Sequence, residues 1–237
     1  PEKITWEGVI DKTVINAFEK ASVDQFPFRE FFRSFKAKVQ YNVLGLKENN
    51  GYVEEDGYIC QIKNEFNAAG VEDSLGKLGD LYNTQIAGNA SNVYVSLIPD
   101  KNYYLGKDYG YPAPNFDKLA EQYRDVFPES TYIDITGALK LESFYKTDTH
   151  WDQSQILGVV ETLGGAMGFE VPKEYTQNTI EGFEGIYFDQ SAMNPDAETL
   201  TYLTNEIIDN LKVQDVSNNK FLDVYAPNLF GEVHNFE

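Results

Sequence analysis

Cysteine is almost missing from this chain: Cys60 is the only one in 237 residues. No internal disulfide can form, and the compartment is left open by cysteine usage. Histidine is scarce too, with two residues, and tryptophan is equally rare. No apolar run approaches the ~18 residues that a membrane-crossing helix needs. Positive charge is in short supply, with 19 Lys and Arg against 38 Asp and Glu, for a net charge of −19. Such a surface repels phosphate backbones and anionic lipid, which argues against nucleic-acid binding. The chain opens at Pro1 without Met, so the lack of a signal peptide is no evidence of cytosolic residence.

What the chain does have is aromatic and aliphatic mass. Sixteen Tyr and sixteen Phe stand in a sequence that is 42% hydrophobic, enough for a sizeable core. Tyrosines pack half-buried with a wet hydroxyl, and they also line carbohydrate and peptide grooves.

Periodicity places several elements. Apolar residues at helical spacing predict helices over Val9–Ala21, Phe28–Leu44, Val71–Ile86, Phe116–Phe127 and Ile156–Met167. Gly45 is placed to cap the second. Asp56-Gly57 between Tyr52-Val53 and Tyr58-Ile59 predicts a hairpin turn. Asn92–Pro99 reads as a strand buried on both faces, as in parallel sheets, and Tyr132–Ile135 as a shorter one. Tyr103–Pro114 reads as a Tyr, Gly and Pro loop, and Gly185–Phe188 as a short β-prone run. Helix, buried strand, helix, buried strand is the rhythm of an α/β layered fold. The reading is one domain over 1–237, with helices in 1–45 and an accessory segment over 170–237.

The segment Tyr145–Trp151 carries the chemistry. It holds His150, the side-chain type that trades protons near neutrality, with Asp148 two residues before it and Trp151 after it. Three arrangements fit these residues. Asp148 can orient the His150 ring while its far nitrogen activates a serine. Asp148, His150 and Asp152 can bind a metal, given a further ligand, and the other histidine is His234. Asp148 can also simply cap a turn. Asp100 and Lys101 sit where a parallel strand would end, the place where ligands gather in open α/β sheets. Trp151 fits either a sugar-stacking wall or a loop anchor. Ser74, in Asp73-Ser74-Leu75-Gly76, superficially matches a nucleophile block but lacks the leading glycine and the strand before it.

Several blocks, taken in order, resemble the DHHW family, bacterial proteins related to the alginate O-acetyltransferase (SGNH-hydrolase-like) enzymes. They are Asp24–Arg29, Gly57-Tyr58-Ile59, Ser96–Lys101, Tyr145–Trp151 and Tyr202–Asn205. The resemblance implies a flavodoxin-like three-layer α/β sandwich with a mostly parallel sheet and an elaborated C-terminal third. It implies acyl transfer or ester hydrolysis on a cell-surface polysaccharide, outside the cytoplasm, without metal or organic cofactor. His150 would be general base and Asp148 its orienter, with Lys101, Asp100, Trp151 and Tyr145 toward substrate. The family serine follows the Asp-His pair, but Ser154, Ser191 and Ser217 do not stand in such a block. The expectation is that the chain ends before the serine. A non-catalytic glycan- or protein-binding domain of the same fold is the alternative.

Overall fold

The computed structural model describes residues 28–193, 195–217 and 219–225. The helix expected over Val9–Ala21, the Asp24–Pro27 part of the first family-like block, and His234 lie outside the described residues.

Helix α1 spans Arg29–Lys38 and continues into a π turn over Val39–Val43. Phe28, Phe31, Phe32 and Phe35 are each more than half exposed, whereas Ala37 is buried. A small antiparallel sheet follows: β1 (Glu48–Asn49), β2 (Tyr52–Glu55) and β3 (Tyr58–Gln61). The β2–β3 turn has Asp56 at φ 49° and Gly57 at φ 84°. Two successive positive φ values define the turn whose twist matches a hairpin, and Asp-Gly is the pair that adopts it at least cost.

Helix α2 (Ala68–Leu81) begins where the Asn67 side chain accepts the Gly70 amide, and α4 (Phe116–Val126) where Asn115 accepts that of Lys118. These are N-caps supplied by the residue type that best meets free amides. Ser74 thus lies within α2, in no strand-to-helix elbow. Between them stand β4 (Tyr94–Val95) and α3 (Lys101–Tyr109). After α4 come β5 (Thr131–Tyr132), three short 3₁₀ turns over Thr136–Ala138, Leu141–Ser143 and Gln153–Gln155, and α5 (Leu157–Met167). The remainder is β6 (Thr176–Phe183), α6 (Ile186–Ser191), β7 (Glu198–Thr204), α7 (Glu206–Asn210), β8 (Lys212–Asp215) and β9 (Lys220–Asp223).

The expected mostly parallel sheet is corrected. Among the described residues the parallel pairing is β4 with β5, two residues on each. β6 pairs antiparallel with β7 across the intervening α6, and β8 with β9 as a hairpin, so the sheets are small and largely antiparallel, and no parallel three-layer sandwich is formed by these elements. The apolar run Asn92–Pro99 pairs only at Tyr94-Val95. Beyond it only Ile98 is exposed, at 63%, while Pro99 is buried and has no amide to give a ladder.

Two further expectations fail locally. Tyr103–Pro114 is largely helix α3, begun by the Asp100 carboxylate on the Asn102 amide and ended at Gly110. Gly185–Phe188 enters α6 rather than a strand.

The main core lies between the β2–β3 sheet, α3 and the 131–159 stretch. Val53, Cys60, Leu105, Ile133, Leu141 and Val159 are buried in it, with Tyr104 and Phe144. Each such side chain contributes roughly 1.5–3 kcal/mol when fully buried. This cluster supports, from beneath, the loop that carries Asp148 and His150.

Candidate functional site

Residues 144–151 form a tight hairpin-like loop. Phe144 bridges Trp151 antiparallel, the Tyr145 amide donates to the His150 carbonyl at 3.1 Å, and the Asp152 amide to the Ser143 carbonyl at 2.9 Å. Phe144 anchors the loop in the core, and Trp151 packs partly buried against the same cluster. The tip, Lys146 to Thr149, is left with backbone groups that the hairpin does not satisfy.

Asp148 meets part of that need. Its Oδ1 accepts the His150 amide at 2.8 Å and lies 2.5 Å from His150 Nδ1. Its Oδ2 accepts the Ile186 amide, at the start of α6, at 2.9 Å. An aspartate accepting the amide two residues on is an Asx turn, which explains locally why the two residues are spaced as they are. Burial would push the Asp148 carboxyl upward. The amides of Ile186 and His150 and the ring hydrogen bond together outweigh it, so the group sits below the ordinary carboxylate value.

The carboxylate and the ring differ sharply in exposure: the Asp148 side chain is 8% exposed and that of His150 82%. With Nδ1 turned to Asp148, the far nitrogen Nε2 is on the solvent side. The pair can therefore hold one tautomer and exchange protons with whatever approaches from outside.

Lys101 does not reach that outside. It is 0% exposed, and its ammonium points at four carbonyls: Ile59 and Tyr145 at 2.7 Å, Lys146 at 2.8 Å and Asp148 at 3.1 Å. Burial lowers its pKa to about 8. Three of those carbonyls belong to the loop itself, so Lys101 holds the loop from below instead of facing a ligand. Tyr145 is likewise turned inward: its hydroxyl donates to the Thr201 carbonyl at 3.0 Å and accepts the Thr201 amide at 2.9 Å. That fastens the loop to β7 and leaves no hydroxyl for substrate. Asp100 spends one oxygen capping α3, and its other oxygen is 3.5 Å from the Lys63 ammonium. Of the four residues expected toward substrate, only Asp100 and Trp151 keep some exposed surface.

One residue of this site has no signal in the sequence. Glu198, on β7, accepts the Lys146 amide at 2.7 Å through one oxygen and the Thr147 amide at 2.6 Å through the other. The Thr147 hydroxyl also donates to it at 2.5 Å and accepts the Gly185 amide at 2.9 Å. No pattern around Glu198 distinguishes it from the other acidic residues; only the fold brings it to the loop. Gly185, by contrast, is legible once seen. A Cβ there would lie 2.4 Å from the Thr147 carbonyl oxygen and 2.5 Å from Asp148 Cβ, so α6 can start against the loop only because nothing projects from position 185.

The downstream serines are otherwise occupied. The Ser154 hydroxyl donates to Asp152, that of Ser191 to the Phe188 carbonyl and that of Ser217 to Asp215, and Ser191 is fully buried. No group of three or more His, Cys, Asp and Glu is placed to hold a metal among the described residues. Beside the loop, Lys146, Thr147 and Glu198 border a cavity of about 530 Å³ whose other walls come from α1 and the π turn after it, the β2–β3 hairpin, Met193 and residues 195–197. No helix among the described residues is long and apolar enough to cross a membrane.

Solved structures share this fold. A DHHW family protein from Eubacterium siraeum superposes with a TM-score of 0.53 and 22% identity, over 67% of this chain and 56% of its own. Bacillus cereus PatB1 with a sulfonyl adduct superposes with a TM-score of 0.52 and 17% identity, over 75% of this chain and 64% of its own. The chain thus spans less than two thirds of the length of either. No family model matches the sequence, and no curated protein does. At these identities the likeness is one of fold.

Proposed function

We propose that this chain carries the histidine and aspartate of a Ser-His-Asp acyl-transfer site, of the DHHW kind that its sequence blocks resemble. The observation that carries the reading is the Asp148–His150 pair: a buried, hydrogen-bonded carboxylate 2.5 Å from Nδ1 of a ring that is itself 82% exposed. A turn alone needs only the backbone amide of His150. The ring contact beside it is what a general base requires of its orienting partner.

In this reading a serine hydroxyl attacks an acyl carbonyl and its proton passes to His150 Nε2. The tetrahedral intermediate then expels the first alcohol, which takes that proton from His150 and leaves an acyl-serine. A glycan hydroxyl or water repeats the sequence in the second half. Proton transfer of this kind is worth roughly 10²–10⁴-fold. The likeness to PatB1 with a sulfonyl adduct supports the reading, because a sulfonyl group becomes attached where a protein presents a strong nucleophile. Ser154, Ser191 and Ser217 are engaged elsewhere, so the serine is assigned to none of them. The acceptor is a cell-surface polysaccharide outside the cytoplasm, and Trp151 and Asp100 are the residues of the expected set with surface left to meet it.

The test is hydrolysis of a chromogenic acetyl ester by the protein. Loss of hydrolysis in His150→Ala and a fall in Asp148→Asn support the proposal; equal rates in wild type and His150→Ala refute it. Glycan binding that survives both substitutions, with no ester cleavage at all, would point to the non-catalytic alternative.

A further inference from the structure

Glu198 and Lys101 grip opposite polarities of one short piece of backbone. Lys101 presents its ammonium to the carbonyls of Tyr145, Lys146 and Asp148, and Glu198 presents both carboxylate oxygens to the amides of Lys146 and Thr147. A peptide held by a cation on its oxygens and an anion on its nitrogens has little freedom to rotate. Charge-assisted hydrogen bonds such as these are roughly twice as strong as neutral ones.

The grip extends to the Asp148 carboxylate by a traceable route. Glu198 accepts the Thr147 hydroxyl, which orients that oxygen to accept the Gly185 amide. The next amide, that of Ile186, donates to Asp148 Oδ2, and that of Tyr187 to the Thr147 carbonyl at 2.9 Å. The close approach at Gly185 leaves no slack between α6 and the loop. Oδ2 is thereby fixed, and Oδ1 is left at the distance from Nδ1 at which the ring is held.

We propose that Glu198 is a positioning residue for the Asp148–His150 pair, acting through Thr147 and the start of α6, with Lys101 as its counterpart beneath the loop. The proposal rests on the acyl-transfer reading for its functional meaning, but its geometry is testable without any substrate. Glu198 is partly exposed and lies at the edge of a cavity, so its removal leaves the core untouched. Lys101 is fully buried, and its removal endangers folding.

The experiment is proton NMR of the His150 ring in a His234→Gln background, which leaves one histidine. The wild type should show a low-field, slowly exchanging Nδ1 proton, the signature of a ring held on a buried carboxylate. Glu198→Ala should lose that resonance or exchange it at least roughly ten-fold faster, the factor expected when charge-assisted hydrogen bonds to a partly buried loop are deleted. Glu198→Gln, which retains one oxygen acceptor, should fall between the two. A resonance with unchanged position and exchange in both variants overturns the proposal, as does equal loss in Glu198→Ala and in a control variant of similar stability loss at Asn115, which caps α4. Failure of the acyl-transfer reading looks different: the ring signature would follow Glu198 as stated while ester hydrolysis showed no dependence on His150.

Discussion

Asp148 accepts three N–H groups on two oxygens while almost entirely buried. Its folded-state pKa is lowered, so its ionised form favours folding. That contribution is complete above the ordinary carboxylate pKa of about 3.9 and disappears as pH falls through the lower folded value. Asp148→Asn should cost about 2 kcal/mol near neutral pH, the scale of charge-assisted hydrogen bonds. In chemical denaturation the gap between wild type and variant should close on acidification below about pH 4; a gap that widens there contradicts the assignment. At Lys101 the cost is steeper, because four carbonyls lose their common partner at once. Lys101→Met should destabilise by about 3 kcal/mol or more, since buried acceptors left unpaired cost roughly 1–3 kcal/mol each, and urea midpoints would read it. The Asp148–His150 pair was legible in the sequence because an Asx turn ties residues two apart. The true task of Lys101 was not, because its partners are main-chain oxygens, which every residue has. Its place after Pro99-Asp100 suggested a ligand contact, whereas the fold turns it inward.

Helices with a clean apolar stripe and an Asn cap, such as α2 and α4, were readable from spacing. α3 was not, since its Tyr, Gly and Lys composition resembles a loop; what makes it helical is the Asp100 cap and the burial of Lys101, Asn102, Tyr104 and Leu105. Gly185–Phe188, at the start of α6, read as β-prone because so short a helix leaves no period to detect, and its first amides are used by the 145–150 loop rather than by its own sequence neighbours. The parallel pairing of β4 with β5 shrank to two residues for a comparable reason: an apolar run predicts burial, but pairing needs a partner strand of matching length. At this scale Gly185→Ala is the sharpest test. Its methyl group meets a backbone carbonyl and Asp148 Cβ, neither of which can swing aside. Overpacking of this sort costs roughly 1–3 kcal/mol, and circular dichroism melts should show the loss. A neutral outcome would mean that α6 can stand off from the loop. Gly57→Ala, at φ 84° in the β2–β3 turn, should cost about 1 kcal/mol from the left-handed penalty alone.

Across the whole molecule, a net charge of −19 sets acidic groups against each other on a surface held together without disulfides. Self-repulsion of this kind weakens the compact state and is screened by salt, over a Debye length of about 10 Å at 0.1 M. Melting temperature should therefore climb when sodium chloride is raised from near zero to about 0.1 M; a flat response would show that the acidic groups are already compensated locally. The sequence made this charge plain, but not how small the individual sheets are, because strand count and pairing depend on long-range meetings that composition does not encode. The imidazole that projects into solvent has a consequence at the same scale. A reactive nitrogen at the bottom of a narrow shaft would admit only chain ends or small esters. Among the described residues the His150 ring stands proud of its surroundings, so under the proposed acyl-transfer reading nothing there gauges the length of a polymer that reaches it.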